Sequence, residues 1–328
     1  MLVLTQTEVR RLLEIDPLLA SLERAFVELS AGRASVPPRN AARVEERGLL
    51  AAMPGYLHGI LETKLVSVFP GNDALGLPTH QALIALFDDA TGALLAVMDG
   101  TEITAVRTGA ASAVTTRALA RDDARVLAVL GTGVQARSHL DAVRRVRDFR
   151  EVRVAGRTPA RAEALAAEVQ AEAAGSFEEA VRGADVVCAC TDSGEPVIRR
   201  QWLADGAHVT SVGASSRGPE LDRETMLAGL LVIESRVAFE PYPAGAHELE
   251  GLDPEAAVEI GEILCLPRDE AGCRGKIDRI AGMADERSGR DDIAMSKSLE
   301  IARDVERVRA KRPEIAQRVV AVPRALTV

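Results

Sequence analysis

The amino-acid sequence predicts an α/β protein whose larger part is a doubly wound parallel sheet and whose first part is a separate α+β domain. From about residue 124, short apolar strands alternate with amphipathic helices, as in RVLAVLGTGVQARSHLDAVRRV and EVRVAGRTPARAEALAAEV. Strands that alternate with helices form parallel sheets through right-handed crossovers. Before residue 100, strand-like segments are instead separated by short turns, which is typical of an antiparallel sheet.

The first domain is predicted over residues 1–118. A helix is expected over residues 5–33, where apolar side chains recur at helical spacing from Val9 to Leu29 and Gly32 marks the end. The segments GILETKLVSVF and HQALIALFDDATGALLAVMDG are expected as strands joined by hairpins. Residues 101–120 return to an alanine-rich helix, which Thr101 or Thr104 can cap.

The second domain is predicted over residues 119–291. Further buried strands are expected in FEEAVRGADVVCACTDS, GAHVTSVGAS and GLLVIES, because each contains a short apolar run bounded by turn residues. A last helix, within about residues 292–328, contains AMSKSLEIARDVERVRA. We expect it to pack back on the first domain and complete it.

Composition narrows the choice of function. The chain of 328 residues has a formal net charge of -9, which argues against a nucleic acid or an anionic membrane as a partner, since both favour a basic surface. No apolar run approaches membrane-spanning length, and the N-terminus lacks a secretory pattern, so a cytoplasmic protein is expected. The four cysteines are too few for a disulfide scaffold, and no metal site is expected from their spacing.

Residues 131–136, GTGVQA, match the pattern G-x-G-x-x-A. The pattern is weak by itself, but here it follows an apolar strand and opens a helix, as the dinucleotide fingerprint requires. Gly131 allows a tight turn, Gly133 lets the backbone approach a pyrophosphate, and Ala136 permits close helix packing. The turn therefore predicts a Rossmann-type domain that binds a nicotinamide dinucleotide. A purely structural glycine turn is the alternative.

The end of the next strand bears on which dinucleotide binds. In NAD-binding domains an Asp or Glu often follows this strand and binds the ribose 2′-hydroxyl. Here the strand ends in Gly156-Arg157-Thr158, where a guanidinium and a hydroxyl can bind a 2′-phosphate. This favours NADP(H), with NAD(H) still open. The alternative is a solvated arginine at the start of a helix.

A lysine in an apolar strand is the most unusual local feature. Lys64 lies in TKLVSVFPGN, residues 63–72, and lysine is rarely buried unless it is paired. A buried cation of this kind is typical of an anion-binding pocket. The alternative is a lysine on an edge strand whose ammonium group reaches solvent.

The sequence resembles the ornithine cyclodeaminase/μ-crystallin family, and most of all its μ-crystallin-like imine and ketimine reductases. The likeness covers almost the whole chain, in order: VPPRN, AAMPGYL, TKLVSVFPGN, GLPTHQALIALFDDATGALLAVMDGTEITAVRTGAASA, VLGTGVQARSHL, AGRTPARAEALA and VTSVGASSRGPELD. The resemblance implies a Rossmann domain inserted into a substrate-binding and dimerisation domain, and hence a homodimer. It also implies hydride exchange between a nicotinamide and the Cα–N bond of an amino or imino acid.

The resemblance assigns roles to particular residues. Arg39, Lys64 and Arg107 match the cations that hold the substrate carboxylate, and Lys64 is the candidate catalytic proton donor; a surface position on a helix is the alternative for Arg107. The glycine turn, the strand ends and the resemblance together predict the following contacts with the cofactor: Thr79, His80, Arg107, Gly131, Gly133, Val134, Gln135, Gly156, Arg157, Thr158, Thr191, Gly213 and Ser215.

One departure from the family pattern bears on the reaction. Cyclodeaminases carry an aspartate as a proton acceptor where this chain has Ser215, and a neutral hydroxyl is a poor base at neutral pH. An NADP(H)-dependent reductase of a small imino or ketimino acid is therefore predicted. The alternatives are an ornithine cyclodeaminase, an alanine-type dehydrogenase and a non-catalytic, crystallin-like binding protein. Glu300 also departs from the family pattern, in the last helix.

Overall fold

The computed structural model describes residues 1–212, 217–241, 244–265 and 319–322. The first part of the chain forms a six-stranded sheet of order β1-β6-β5-β4-β3-β2. Strands β2 to β6 pair as antiparallel neighbours, and β1 pairs with β6 in parallel. The strands are β1 (Leu2–Leu4), β2 (Asn40–Val44), β3 (Gly48–Leu57), β4 (Ile60–Val68), β5 (His80–Phe87) and β6 (Leu94–Asp99).

The single helix predicted over residues 5–33 is instead two helices, α1 (Gln6–Leu12) and α2 (Ile15–Ser30). Pro17 explains the break, because in a continuous helix its ring would collide with the carbonyl group of Leu13, four residues earlier. The alanine-rich helix is present as α3 (Gly100–Leu119). Its cap is Asp99, which accepts a hydrogen bond from the Glu102 N–H, and not Thr101 or Thr104 as predicted.

The second part of the chain forms an eight-stranded sheet of order β13-β12-β14-β11-β10-β7-β8-β9, with every pairing parallel. The strand order reverses between β7 and β10, which makes their carboxyl ends the topological switch point. The predicted fold class is therefore confirmed. The strands are β7 (Val126–Leu130), β8 (Glu151–Ala155), β9 (Glu172–Ala173), β10 (Val186–Ala189), β11 (His208–Ser211), β12 (Leu230–Ile233), β13 (Ala257–Glu259) and β14 (Val319–Val322).

Helices connect the strands of this second sheet. They are α4 (Val134–Val143), α5 (Pro159–Val169), α6 (Phe177–Val181), α7 (Arg223–Ala228) and α8 (Ile260–Leu264). Strands β10 and β11 are buried along their whole length, as expected for the interior of a parallel sheet that is covered on both faces. Among the described residues no helix is long and apolar enough to cross a membrane.

The structure describes only a short part of the end of the chain. The helix expected within about residues 292–328 lies mostly outside the described residues, and Glu300 with it. Within that range the structure describes Val319–Val322, which form strand β14 between β11 and β12 of the second sheet. Three of these four residues are valine, and β-branched residues favour strands. The domain limits, 1–118 and 119–291, stay predictions.

Helix α3 joins the two parts of the molecule. It contacts α2 and β5 in the first part and α4 in the second. A side chain at Gly109 would collide with Ser138 of α4, so the two helices cross at close range. The Ser138 hydroxyl donates to the Ala105 carbonyl oxygen of α3 at 2.5 Å, which also holds the two helices together. Any residue on the buried surface of α3 is thus held firmly relative to both sheets.

Candidate active site

Lys64 lies inside the first sheet and not at its edge. Strand β4 is flanked by β3 and β5, and Lys64 pairs with Met53 on one side and Ile84 on the other. Only 5% of Lys64 is exposed. The edge-strand alternative is therefore wrong. A buried lysine in the middle of a sheet needs a charged partner or a ligand, since desolvation disfavours the ammonium form.

Two arginines lie close to Lys64. Arg107 projects from α3 and is only 4% exposed, so the surface alternative for this residue is wrong as well. Arg39 is half-buried just before β2. Burial, followed by the charges of Arg107 and Arg39, lowers the pKa of Lys64 to about 7. Burial lowers the pKa of Arg107 to about 10. The fold thus brings the three predicted cations together.

Sequence reasoning missed two carboxylates of this cluster. Glu234 directly follows β12 and is buried, and its charge acts on both Lys64 and Arg107. Glu62 lies two residues before Lys64 on β4, also buried, and its charge acts on Lys64. A signal was available for each: Glu234 directly follows a buried strand, and the two-residue period of a strand places Glu62 on the face of Lys64.

The glycine turn has the shape that a dinucleotide requires. Gly131 is buried with φ at 119°, and a side chain there would collide with the carbonyl oxygen of Cys190. Gly133 is the N-terminal cap of α4, makes no side-chain cap, and has nothing within 4 Å of where a Cβ would lie. Val134 is 65% exposed. The first turn of α4 is therefore open to a phosphate, so the turn fits the cofactor.

Thr191 is held at the carboxyl end of β10 by a buried carboxylate that sequence reasoning missed. Its N–H and its Oγ1 donate to Glu220 Oε1 at 2.6 and 2.5 Å, and the Ser211 hydroxyl donates to Glu220 Oε2 at 2.9 Å. Burial raises the pKa of Glu220 to about 7. The loop at the switch point is thereby fixed beside the glycine turn. Gly213 and Ser215, predicted on the next loop, lie outside the described residues.

Five further predicted residues lie after β8 or at the start of β5. Arg157 and Thr158 are exposed after β8, next to half-buried Gly156. Thr79 and His80 lie at the start of β5, with 3.1 Å between Thr79 Oγ1 and His80 Nδ1. The His80 side chain interacts electrostatically with Lys64 of the first sheet and with Asp192, which follows Thr191. It therefore lies between the cationic cluster and the switch point.

The buried cations face the carboxyl edge of a sheet whose glycine turn accepts a dinucleotide. Together the fold and this site define the class of protein: an NAD(P)-dependent oxidoreductase. No group of histidine, cysteine or acidic side chains that could hold a metal ion occurs within the described parts of the chain.

Comparison with known proteins identifies the family. Residues 1–271 match the model of the ornithine cyclodeaminase/mu-crystallin family. The ketimine reductase mu-crystallin of Mus musculus is 41% identical over 256 residues, which cover 76% of this chain and 80% of that protein. The chain belongs to the ornithine cyclodeaminase/mu-crystallin family, as the motifs predicted.

Solved structures agree with this assignment. The Δ1-pyrroline-2-carboxylate reductase of Thermococcus litoralis, in complex with NADH and L-proline, superposes with a TM-score of 0.74 at 36% identity, covering 81% of this chain and 86% of that one. An archaeal alanine dehydrogenase dimer with bound NAD superposes with a TM-score of 0.76 at 28% identity, covering 98% of this chain and 89% of that one.

Proposed function

We propose that this protein is an NADP(H)-dependent reductase that converts a small imino or ketimino acid into the amino acid. The observation that carries the proposal is the cluster of buried Lys64 and Arg107 with half-buried Arg39, beside the carboxyl edge of the dinucleotide-type sheet. The names of the related proteins support the substrate class, since one reduces ketimines and another reduces pyrroline-2-carboxylate.

In this proposal each residue of the cluster has a separate task. Arg39 and Arg107 bind the substrate carboxylate, because a planar guanidinium matches a planar carboxylate through two hydrogen bonds. This places the carbon–nitrogen double bond beside Lys64. The bound nicotinamide supplies the hydride. Lys64, with a pKa of about 7, is suited to donate a proton at neutral pH and to accept one in the reverse direction.

A screen of substrates tests this function. NADPH and NADH oxidation is measured with Δ1-pyrroline-2-carboxylate, with pyruvate plus methylamine and with pyruvate plus ammonia. Turnover with the first two is expected. Turnover with pyruvate plus ammonia, and with neither of the other two, would indicate an alanine-type dehydrogenase. Ornithine with NAD, assayed for ammonia, is the arm for a cyclodeaminase, which Ser215 disfavours because it is no carboxylate base. Absence of turnover in all four arms would favour a binding protein.

Cofactor preference is predicted from Arg157. NADPH is expected to bind at least tenfold more tightly than NADH, about 1.4 kcal/mol, because the exposed guanidinium at the end of β8 can pair with the 2′-phosphate. Arg157→Ala should remove most of this difference, whereas Arg161→Ala, an equally exposed arginine on α5, should leave it unchanged. Binding is measured by titration of nucleotide fluorescence. Equal affinities of the wild-type protein for NADPH and NADH would show that Arg157 does not bind the 2′-phosphate.

Assembly is predicted from the outer face of the first sheet. Leu50, Tyr56 and Leu83 share the face opposite Lys64 and are exposed large side chains. We expect this face to be covered in a two-fold homodimer, as the dimeric archaeal alanine dehydrogenase suggests. Leu83→Glu should therefore dissociate the protein in sedimentation experiments, and Leu227→Glu, at an exposed position of α7, should not. A wild-type monomer at micromolar concentration would contradict the prediction.

A further inference from the structure

The buried carboxylate of Glu62 has no task in the mechanism described so far. Only 5% of Glu62 is exposed, and both of its carboxylate oxygens are buried without a hydrogen-bond partner among the described residues. A buried acid in this condition costs stability, because neither water nor a donor solvates its charge. An arrangement that costs stability at the edge of a catalytic cluster calls for a functional explanation.

Glu62 and Lys64 are neighbours on one face of the first sheet. Both residues lie on β4 with one residue between them, so their side chains leave the same face of the sheet about 6.7 Å apart along the strand. Glu62 pairs with Gly55 on β3, which has no side chain, and with Leu86 on β5. These two neighbours on the adjacent strands therefore offer it no charge, and within the described part of the chain the charge that acts on Glu62 is that of Lys64.

The charges around Lys64 show what this carboxylate can do. Arg107 on α3 and Arg39 before β2 both disfavour the ammonium form, and His80 on β5 lies near enough to interact. Glu62 and Glu234 favour the ammonium form. Glu234 is shared with Arg107, on which its charge also acts. Glu62 is the carboxylate on the strand of Lys64 itself.

We infer that Glu62 is a positioning residue for catalysis: its carboxylate is the counter-charge that keeps Lys64 protonated between two arginines. In the reductive direction, the hydride from the nicotinamide bonds to Cα and the π electrons of the C=N bond move onto nitrogen. Nitrogen then takes a proton as a Lys64 N–H bond breaks, and solvent restores that proton after the product leaves. This inference rests on the proposed function, because it needs Lys64 as the proton donor.

The pH profile of the full-length enzyme tests the inference. With Δ1-pyrroline-2-carboxylate as the probe, kcat/KM should fall as pH rises through the pKa of Lys64, since only the ammonium form donates. Glu62→Gln removes the anion that favours that form, so the alkaline limb should move to lower pH by about one unit. Glu62→Asp keeps the charge, so its alkaline limb should lie close to the wild-type pH. Glu46→Gln removes an exposed carboxylate of the same domain and should leave it unmoved.

A second variant controls for a folding defect in the first. A second measurement, the Tm, controls for a wrong choice of substrate. Glu62→Leu removes charge and polar atoms together, and it should shift the limb as Glu62→Gln does. In the protein without ligands, burial raises the pKa of Glu62 to about 7, so its contribution to stability is lost as pH rises through that value. The Tm of Glu62→Gln relative to wild type should therefore increase from about pH 5 to about pH 8.

The outcomes separate the inference from the proposed function. An alkaline limb that stays in place in Glu62→Gln and Glu62→Leu overturns the inference, while a wild-type enzyme that reduces the imine leaves the proposed function intact. Conversely, a wild-type protein that oxidises neither nucleotide with any imino acid defeats the proposed function. In that case the pairing is tested in a Lys64→Met background, where loss of the Lys64 charge should raise the pKa of Glu62 further; a Tm difference between Glu62→Gln and Glu62 whose pH dependence is the same with and without Lys64 overturns the pairing.

Discussion

Lys64→Met is expected to lower kcat/KM for the imino acid by at least a hundredfold, about 3 kcal/mol of transition-state stabilisation. Methionine matches the length and flexibility of lysine but can neither donate a proton nor attract a carboxylate. The side chain lies between Met53 and Ile84, so a thioether is well accommodated there. A Tm measurement on the variant checks that it is folded.

Two measurements make this result specific to the site. Affinity for the nicotinamide nucleotide should be unchanged in Lys64→Met, since the phosphates are predicted at the glycine turn of the second sheet. Arg43→Met, which removes an exposed cation of β2, should leave kcat/KM at the wild-type value. If Lys64→Met turned over normally, the buried cation would have no part in the chemistry and the assignment of Lys64 as proton donor would be wrong.

Gly131→Ala is expected to destabilise the fold by about 3 kcal/mol, because the new methyl group adds a collision to a strained backbone conformation. The φ angle of 119° is one that residues with side chains rarely adopt, and the Cys190 carbonyl oxygen occupies the place of the methyl group. The Gly131 N–H also donates to the Ala155 carbonyl oxygen at 2.8 Å, which ties the turn to the end of β8. Chemical denaturation measures the loss.

Gly133→Ala is the matched control and should behave in the opposite way. At Gly133 φ is −89°, which alanine tolerates, and a Cβ would meet nothing within 4 Å. The free energy of unfolding should therefore stay unchanged. Nucleotide affinity should fall at least tenfold, about 1.4 kcal/mol, because the methyl group would take the space through which a pyrophosphate approaches the backbone. Unchanged affinity would mean that the dinucleotide does not lie on this turn.

Much of this protein could be predicted from local patterns in its sequence. The alternation of apolar strands with helices predicted the doubly wound sheet, and GTGVQA after a strand predicted the glycine turn that opens a helix. These predictions hold because strand and helix periods and glycine conformations depend on neighbouring residues. The isolated Lys64 in an apolar strand likewise indicated a buried cation, since its burial follows from the residues on either side of it.

Tertiary structure decided what lies around that cation. Arg39, Arg107 and Glu234 come from three separate parts of the chain, and no local pattern sets their approach to Lys64. The same limit applies to Glu220, whose contact with Thr191 spans 29 residues, and to β14, which pairs with strands far away in sequence. Amino-acid sequence by itself determined which residues could carry charge into the interior. Only the packing of the two sheets across α3 decided which charges meet, because electrostatic interactions depend on distance and burial and not on position in the chain.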